Sequence, residues 1–179
     1  MDNKNKIRKF VNAALFASLT CVAVMIIEIP IPATNGYINA GDGIVLLGAS
    51  LLGSVYGGSA AGIGASLADV FLGYARYVPA TFIIKFIMAF IAGMIFKKSD
   101  PKKSAGIILC AFASGLASET VMIAGYFVYE ALLLGYGFAG ALAGVPGNIF
   151  QGIGGTVIYA ILLFAVRKNK FLSEKMNLK

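Results

Sequence analysis

The stretch DGIVLLGASLLGSVYGGSAAGIGASLAD, residues 42–69, decides how this chain folds. Between its terminal Asp42 and Asp69 it carries no charge, so it could form one long apolar helix. The glycines in the segment Gly53–Gly58 also allow two shorter helices joined by a tight turn. The charges on either side of the stretch choose between these two interpretations.

The composition indicates an integral membrane protein. Hydrophobic residues make up 59% of the 179 residues, charged residues make up 13%, and the mean hydropathy is +0.84. A soluble domain of this length could not bury so much apolar surface. The net charge of +7 is better explained by lipid headgroups than by nucleic acid, because the basic residues border apolar segments. The lack of His removes the commonest general base and metal ligand, so we expect no enzyme activity, no metal and no cofactor.

All but two of the 15 basic residues fall in three clusters, within residues 4–9, 97–103 and 167–179. Lys and Arg collect in cytoplasmic loops, so all three clusters are expected on the cytoplasmic side. An even number of spans must then separate successive clusters, which requires two helices within residues 42–69. The sequence therefore predicts an all-α polytopic membrane protein with six transmembrane helices and cytoplasmic N and C termini.

This prediction gives a single membrane domain over residues 1–179. Its helices are expected at about 10–27, 40–55, 57–74, 79–96, 104–134 and 139–166. Basic cytoplasmic tails are expected at 1–9 and 167–179.

Polar residues inside the predicted spans concentrate toward the outer side of the membrane. Asp69, Lys85 and Glu119 lie within apolar segments, where ionisable groups are costly and usually face a cavity or one another. They could bind a ligand, or they could form a structural ion pair that joins helices three, four and five. The amides of Asn148 and Gln151 share one face of the sixth helix because they are three residues apart.

Glu119, Met122 and Tyr126 share one face of the fifth helix. A tyrosine beside a carboxylate and two amides suits a small polar heteroaromatic ligand, although Tyr126 and Tyr129 could instead belong to an interfacial aromatic belt. The residues predicted to bind substrate are Asn39, Asp42, Asp69, Lys85, Glu119, Met122, Tyr126, Asn148 and Gln151.

The segment EIPIPATNGYIN, residues 28–39, joins the first two spans on the outer side. Its prolines and its Asn-Gly pair are incompatible with a helix. Ile29, Ile31 and Tyr37 suggest that it closes over an external pocket, but it could equally be a plain connector.

Taken in order, these segments resemble a known family, the substrate-binding S components of energy-coupling factor (ECF) vitamin transporters. The resemblance runs from about Ala13 to Ile161. It rests on six spans with both termini inside and on a small-residue face on the first span. It also rests on the segments YINAGDGIVLLGASLLGSVYGG, GIGASLADVFLGYARYVPATFIIK, SETVMIAGYFVYE and VPGNIFQGIGG.

The resemblance implies a multi-pass protein of a bacterial plasma membrane that captures a scarce water-soluble vitamin, or a vitamin precursor, from outside. It implies association with a membrane scaffold (T) subunit and two cytoplasmic ATPase (A) subunits. In that family the small-residue face of the first helix contacts the scaffold, which here implies Ala13 and Ala17. The ligand lies near the outer face, among the first external loop and helices four to six. The chain has no GxxxxGK[ST] phosphate loop, so the partners would supply ATP hydrolysis.

The sequence looks most similar to members linked to pyridoxine or hydroxymethylpyrimidine uptake. The lack of Trp argues against an indole-stacking pocket like that of the thiamine-binding members, while riboflavin, folate and pantothenate stay open. The main alternative is a stand-alone secondary transporter or small channel in which Asp69, Lys85 and Glu119 form a proton or ion relay. Short helices without an evident inverted repeat argue against this alternative.

Overall fold

The computed structural model describes residues 3–98 and 104–169, most of which are helical. Two short strands, β1 (Glu28–Ile31) and β2 (Gly36–Asn39), form an antiparallel hairpin between the first two helices. Within the described part of the chain, five helical segments are long and apolar enough to cross a membrane. The helices are α1 (Asn3–Ile26), α2 (Asp42–Leu52), α3 (Ser54–Leu72), α4 (Val78–Phe96), α5 (Ser104–Val128), α6 (Gly137–Leu142) and α7 (Val145–Lys168).

The surface of the molecule is apolar, and charged side chains lie inside it. Leu116, Phe150 and Phe164 are exposed, whereas Asp42 and Lys85 are fully buried. A soluble protein has the opposite distribution, because water solvates its charges and its large apolar side chains are buried. The prediction of an all-α polytopic membrane protein is confirmed.

Residues 42–69 form two helices, α2 and α3, which are separated by Gly53 alone. Gly53 has a φ of 80° and a ψ of 175°, a conformation that side-chain-bearing residues rarely adopt. Helix α2 has only 11 residues, so it rises about 16 Å and cannot alone cross a hydrocarbon core of about 30 Å. The second span predicted at 40–55 was therefore too long at both ends. The β-hairpin precedes α2, and the first residue of α2, Asp42, contacts Lys85 of α4.

Several other helix limits differ from those predicted. Helix α1 begins at Asn3, so the described part of the predicted N-terminal tail is helical. The helix predicted at 139–166 is divided into α6 and α7, and Pro146 lies in the first turn of α7, where a missing N–H costs little. A π-helical turn, Tyr129–Leu133, follows α5 directly. Lys102, Lys103 and the predicted tail from Lys170 onward lie outside the described residues.

Small residues of α3 bring α1 and α4 close to it. A Cβ atom placed on Gly62 would lie 2.9 Å from the Phe82 carbonyl oxygen of α4, and one on Gly64 would collide with the Ala17 carbonyl oxygen of α1. Such contacts allow backbones to approach closely within a membrane, where packing rather than water exclusion holds helices together. Ala17 therefore faces α3 and is only 8% exposed.

Candidate functional site

A nearly closed cavity lies beneath the β-hairpin, between the ends of α3, α4, α5 and α7 that are nearest to the hairpin. Side chains of several elements that are distant in sequence therefore meet at one place. Six of the residues predicted to bind substrate line it: Asn39, Asp69, Lys85, Tyr126, Asn148 and Gln151.

The hairpin forms the roof of the cavity. The Tyr37 hydroxyl donates a hydrogen bond of 2.6 Å to Asp69 Oδ1 on α3. The Tyr77 hydroxyl, immediately before α4, donates a 2.7 Å hydrogen bond to the backbone carbonyl of Thr34 in the hairpin turn. Outside the cavity, the Tyr74 hydroxyl donates to Glu28 Oε1 at 2.6 Å. Three tyrosines thus fasten the hairpin to the ends of α3 and α4.

These phenols keep their protons at neutral pH. Burial, and then the charge of Asp69, raises the pKa of Tyr37 well above its ordinary value. Burial and the hydrogen bond to Glu28 raise the pKa of Tyr74 to about 12. Burial, and then the charge of Glu130, raises the pKa of Tyr77. Each tyrosine therefore remains a hydrogen-bond donor under physiological conditions.

The free volume of the cavity is about 20 Å³. This is room for about one water molecule, whereas sites for small organic ligands usually enclose about 300 Å³ or more. The structure therefore has a closed roof, and a heteroaromatic ring can enter only when the hairpin moves. Of the two interpretations of residues 28–39, this geometry favours a segment that covers a pocket. Ile29, however, is 55% exposed and does not take part in the closure.

Asp42, the first residue of α2, connects the elements at the base of the cavity. Its Oδ1 atom accepts from the Lys85 ammonium, and its Oδ2 atom accepts a 2.6 Å hydrogen bond from Gln151 Nε2. Gln151 Oε1 in turn accepts a 2.8 Å hydrogen bond from the backbone N–H of Asn39. Asp42 does not line the cavity itself. It orients Lys85 and Gln151, which do.

The structural ion pair considered as the alternative for helices three, four and five has different partners in the structure. Lys85 pairs with Asp42 of α2, while Asp69 accepts from Tyr37. Within the described residues, no hydrogen bond or ion pair joins Lys85 to Asp69 or to Glu119. The sequence could not identify Asp42 as the partner, because α2 is shorter than the predicted span and begins at Asp42 itself.

Glu119 and Met122 do not line the cavity. The Met122 sulfur lies 3.9 Å from Gln151 Nε2, behind the cavity wall. Glu119 lies against Gly152 and Gly155 of α7 and lines a separate, largely apolar groove of about 570 Å³ on the lipid-facing side of α5 and α7. Both of its carboxylate oxygens are buried without a hydrogen-bond partner. The face predicted for the fifth helix is correct at Tyr126, which lines the cavity. Glu119 lies nearly two helical turns from Tyr126 and points toward α7.

Five polar cavity residues were not among those predicted to bind substrate. Two of them had a signal in the spacing, since Thr81 precedes Lys85 by four residues and Glu130 follows Tyr126 by four. Glu130 lies on the π-helical turn, a deviation that is frequent at functional sites. The hairpin residues had no such signal, because their position depends on strand pairing. The five are Thr34, Tyr37, Tyr77, Thr81 and Glu130.

The arrangement is suited to binding a small polar molecule. The cavity combines phenol rings, three side-chain amides and three ionisable groups, Asp69, Lys85 and Glu130. Among the described residues, no group of three or more His, Cys, Asp and Glu side chains is placed to hold a metal ion. A neutral or charged polar ring could be held here by stacking and by hydrogen bonds at its edges.

Comparison with known proteins identifies relatives along nearly the whole chain. The model of the family described as ECF-type riboflavin transporter, S component, matches residues 4–168. An uncharacterized protein from the gap 3′ region of Pyrococcus woesei is 35% identical over 147 residues, which is 82% of this chain and 93% of that protein. The thiamine precursor transporter HmpT of Lactococcus lactis subsp. cremoris (strain MG1363) is 29% identical over 174 residues, which is 97% of this chain and 95% of that protein.

Proposed function

The chain belongs to the family of ECF-type riboflavin transporter S components, and from that premise we propose that it captures pyridoxine, hydroxymethylpyrimidine or a closely related compound. As a member of this family it is a multi-pass plasma membrane protein that binds a vitamin or a vitamin precursor for transport. The finer assignment is supported by the polar and aromatic lining of the cavity and by the name of the Lactococcus relative, a thiamine precursor transporter. Riboflavin, named in the family description, is the first competing ligand.

The observation that carries this proposal is the polar cavity closed by the hairpin. The ligand enters from the outer side when the hairpin lifts, and the hairpin then closes over it. Asn148, Gln151 and Lys85 hold its polar edge, and Tyr37, Tyr77 and Tyr126 contact its ring. The protein itself performs no ATP hydrolysis; we propose that two ATPase (A) subunits supply it through a scaffold (T) subunit.

We propose that the scaffold docks on the exposed face of α1, but not through the residues expected from the sequence. Ala17 is buried against α3, and Ala13 is partly buried, so neither presents an open surface. Ala14 and Ser18 are small, exposed and four residues apart. The Ser18 hydroxyl donates a 3.0 Å hydrogen bond to the Ala14 carbonyl oxygen, which leaves a shallow surface without an unsatisfied donor.

Equilibrium dialysis of the purified protein tests the proposal. Pyridoxine, hydroxymethylpyrimidine, riboflavin, folate and pantothenate are each offered without ATP. We expect one of the first two compounds to bind tightly at one molecule per chain, and the intact complex to contain a scaffold and ATPases. Uptake into liposomes by the protein alone, driven by a proton gradient, would instead establish a secondary transporter.

A further inference from the structure

Two carboxylate oxygens of cavity residues are unpartnered hydrogen-bond acceptors. Asp69 Oδ2 and Glu130 Oε2 are buried without a hydrogen-bond partner. The Thr34 hydroxyl next to Glu130 is also unpartnered, and it can donate as well as accept. The neighbouring Thr81 hydroxyl is already hydrogen-bonded to the Tyr126 hydroxyl at 3.1 Å. Two carboxylates therefore each keep one oxygen that a bound molecule can satisfy, and a buried acceptor left unpaired is costly.

The one cation among the described residues that line the cavity is neutralised by a buried partner. Lys85 is the one basic residue among the described residues that line it, and its ammonium is paired with Asp42. Both side chains of this pair are buried, at 1% and 0% exposure, so the pair cannot easily separate. A carboxylate or phosphate placed here would lose its hydration and would lie beside Asp69 and Glu130 without compensation.

The aromatic rings of the cavity are compatible with positive charge. Tyr77 and Tyr126 have ring centroids 6.3 Å apart, and the Lys85 ammonium lies 5.9 Å from the centroid of Tyr126. Phenol faces attract cations and also stack on heteroaromatic rings. Rings and carboxylates together favour an aromatic molecule that is electron-poor or protonated.

We infer that the cavity selects a compact aromatic base that donates hydrogen bonds at two separate positions and carries no anionic group. One donor satisfies Asp69 Oδ2 and the other satisfies Glu130 Oε2. This inference rests on the proposed function and narrows it, because it removes folate and pantothenate from the candidate ligands. Amino-substituted pyrimidines and pyridines with amino or hydroxymethyl groups have the required chemistry.

Matched probes that differ in one substituent test this selection. Pyridoxamine, pyridoxine and 4-pyridoxic acid share a ring and carry an aminomethyl, a hydroxymethyl and a carboxylate group at the same carbon. If the pyrimidine is the tighter ligand, hydroxymethylpyrimidine is compared with its 5-carboxylic acid. We expect the carboxylate probe to bind at least about 100-fold more weakly than the hydroxymethyl compound with the same ring. Repulsion by Asp69 and by Glu130 should each contribute about tenfold. Equal or tighter binding of the carboxylate form would overturn the inference.

The same measurements separate failure of the inference from failure of the proposed function. If none of the vitamins or probes binds, the proposed function is wrong and the inference falls with it. If pyridoxine or hydroxymethylpyrimidine binds tightly and its carboxylate form binds equally well, the proposed function stands and only the inference is overturned. Tight binding of pantothenate or folate in place of these compounds would overturn both.

Two isosteric variants test whether Asp69 and Glu130 cause the discrimination against the carboxylate probe. Asp69→Asn and Glu130→Gln remove one negative charge each, and each is expected to reduce the discrimination against the carboxylate probe by about tenfold. Glu28→Gln is the matched control, since Glu28 bonds Tyr74 outside the cavity. Unchanged discrimination in both cavity variants would contradict the inference. If either variant fails to fold, the probe comparison on the unaltered protein still decides it.

Discussion

Lys85 of α4 and Asp42 of α2 form an ion pair between two fully buried side chains that are 43 residues apart in sequence. The same Asp42 also accepts a hydrogen bond from Gln151 of α7. One carboxylate therefore holds three helices at the base of the cavity, so its partners should be strongly coupled energetically.

The first prediction concerns this pair. Lys85→Met leaves the Asp42 charge buried and uncompensated, so we expect a loss of about 3–5 kcal/mol in the free energy of unfolding. Adding Asp42→Asn removes that charge and should recover part of the loss. Denaturant titration of both single variants and the double variant measures the coupling. Strictly additive effects would mean that the pair contributes no interaction of its own.

The second prediction concerns the closed roof. Tyr37→Phe removes the hydroxyl that bonds Asp69, so the hairpin should open more readily and the bound vitamin should dissociate about tenfold faster. Tyr74→Phe is the comparison variant: it removes a second hydrogen bond that fastens the hairpin, to Glu28 outside the cavity, and should also speed dissociation. Stopped-flow displacement of ligand gives both rates. If Tyr37→Phe releases ligand at the original rate, the Tyr37 hydrogen bond does not limit opening.

Charge patterning predicted the break within residues 42–69. The basic clusters required two helices in this stretch, and the chain indeed breaks at Gly53. The same reasoning could not give the length of α2. A charged residue at a predicted helix end looks the same in the sequence whether it is exposed or, like Asp42, fully buried in the bundle.

The cavity was predicted best where its residues lie on regular helices. Asn148 and Gln151 follow from helical spacing, and both line the cavity. Thr34 and Tyr37 reach it through the pairing of Ile31 with Gly36 in the hairpin. The Asn-Gly pair in residues 28–39 indicated a turn, but the turn alone does not show which side chains face the cavity. For Glu119 the helical spacing was misleading. It placed Glu119 on the same face as Tyr126, but the side chain packs on α7 and does not line the cavity.

The third prediction separates the two faces of α1. Ser18→Leu places a bulky side chain on the exposed face, so vitamin uptake by the whole transporter should fall at least about tenfold while ligand binding and stability are kept. Ala17→Leu is the contrasting variant: it should reduce stability, because Ala17 is buried where Gly64 of α3 approaches its backbone. Uptake assays, ligand binding and thermal melting are compared for both. Normal uptake with Ser18→Leu would exclude this face as the docking surface.

The last prediction concerns Glu119, whose carboxylate lines the lipid-facing groove instead of the cavity. Glu119→Gln replaces a buried carboxyl group whose oxygens have no hydrogen-bond partner, so stability should be equal or higher and vitamin affinity should change by less than about twofold. Glu130→Gln, made in parallel, alters a carboxylate inside the cavity and should weaken binding of an amino-substituted ligand at least about tenfold. Calorimetric titration and thermal melting in the same detergent compare the two. A tenfold loss of affinity at Glu119 would mean that the ligand-bound cavity extends through the bundle to α7, and would restore Glu119 to the binding residues predicted from the sequence.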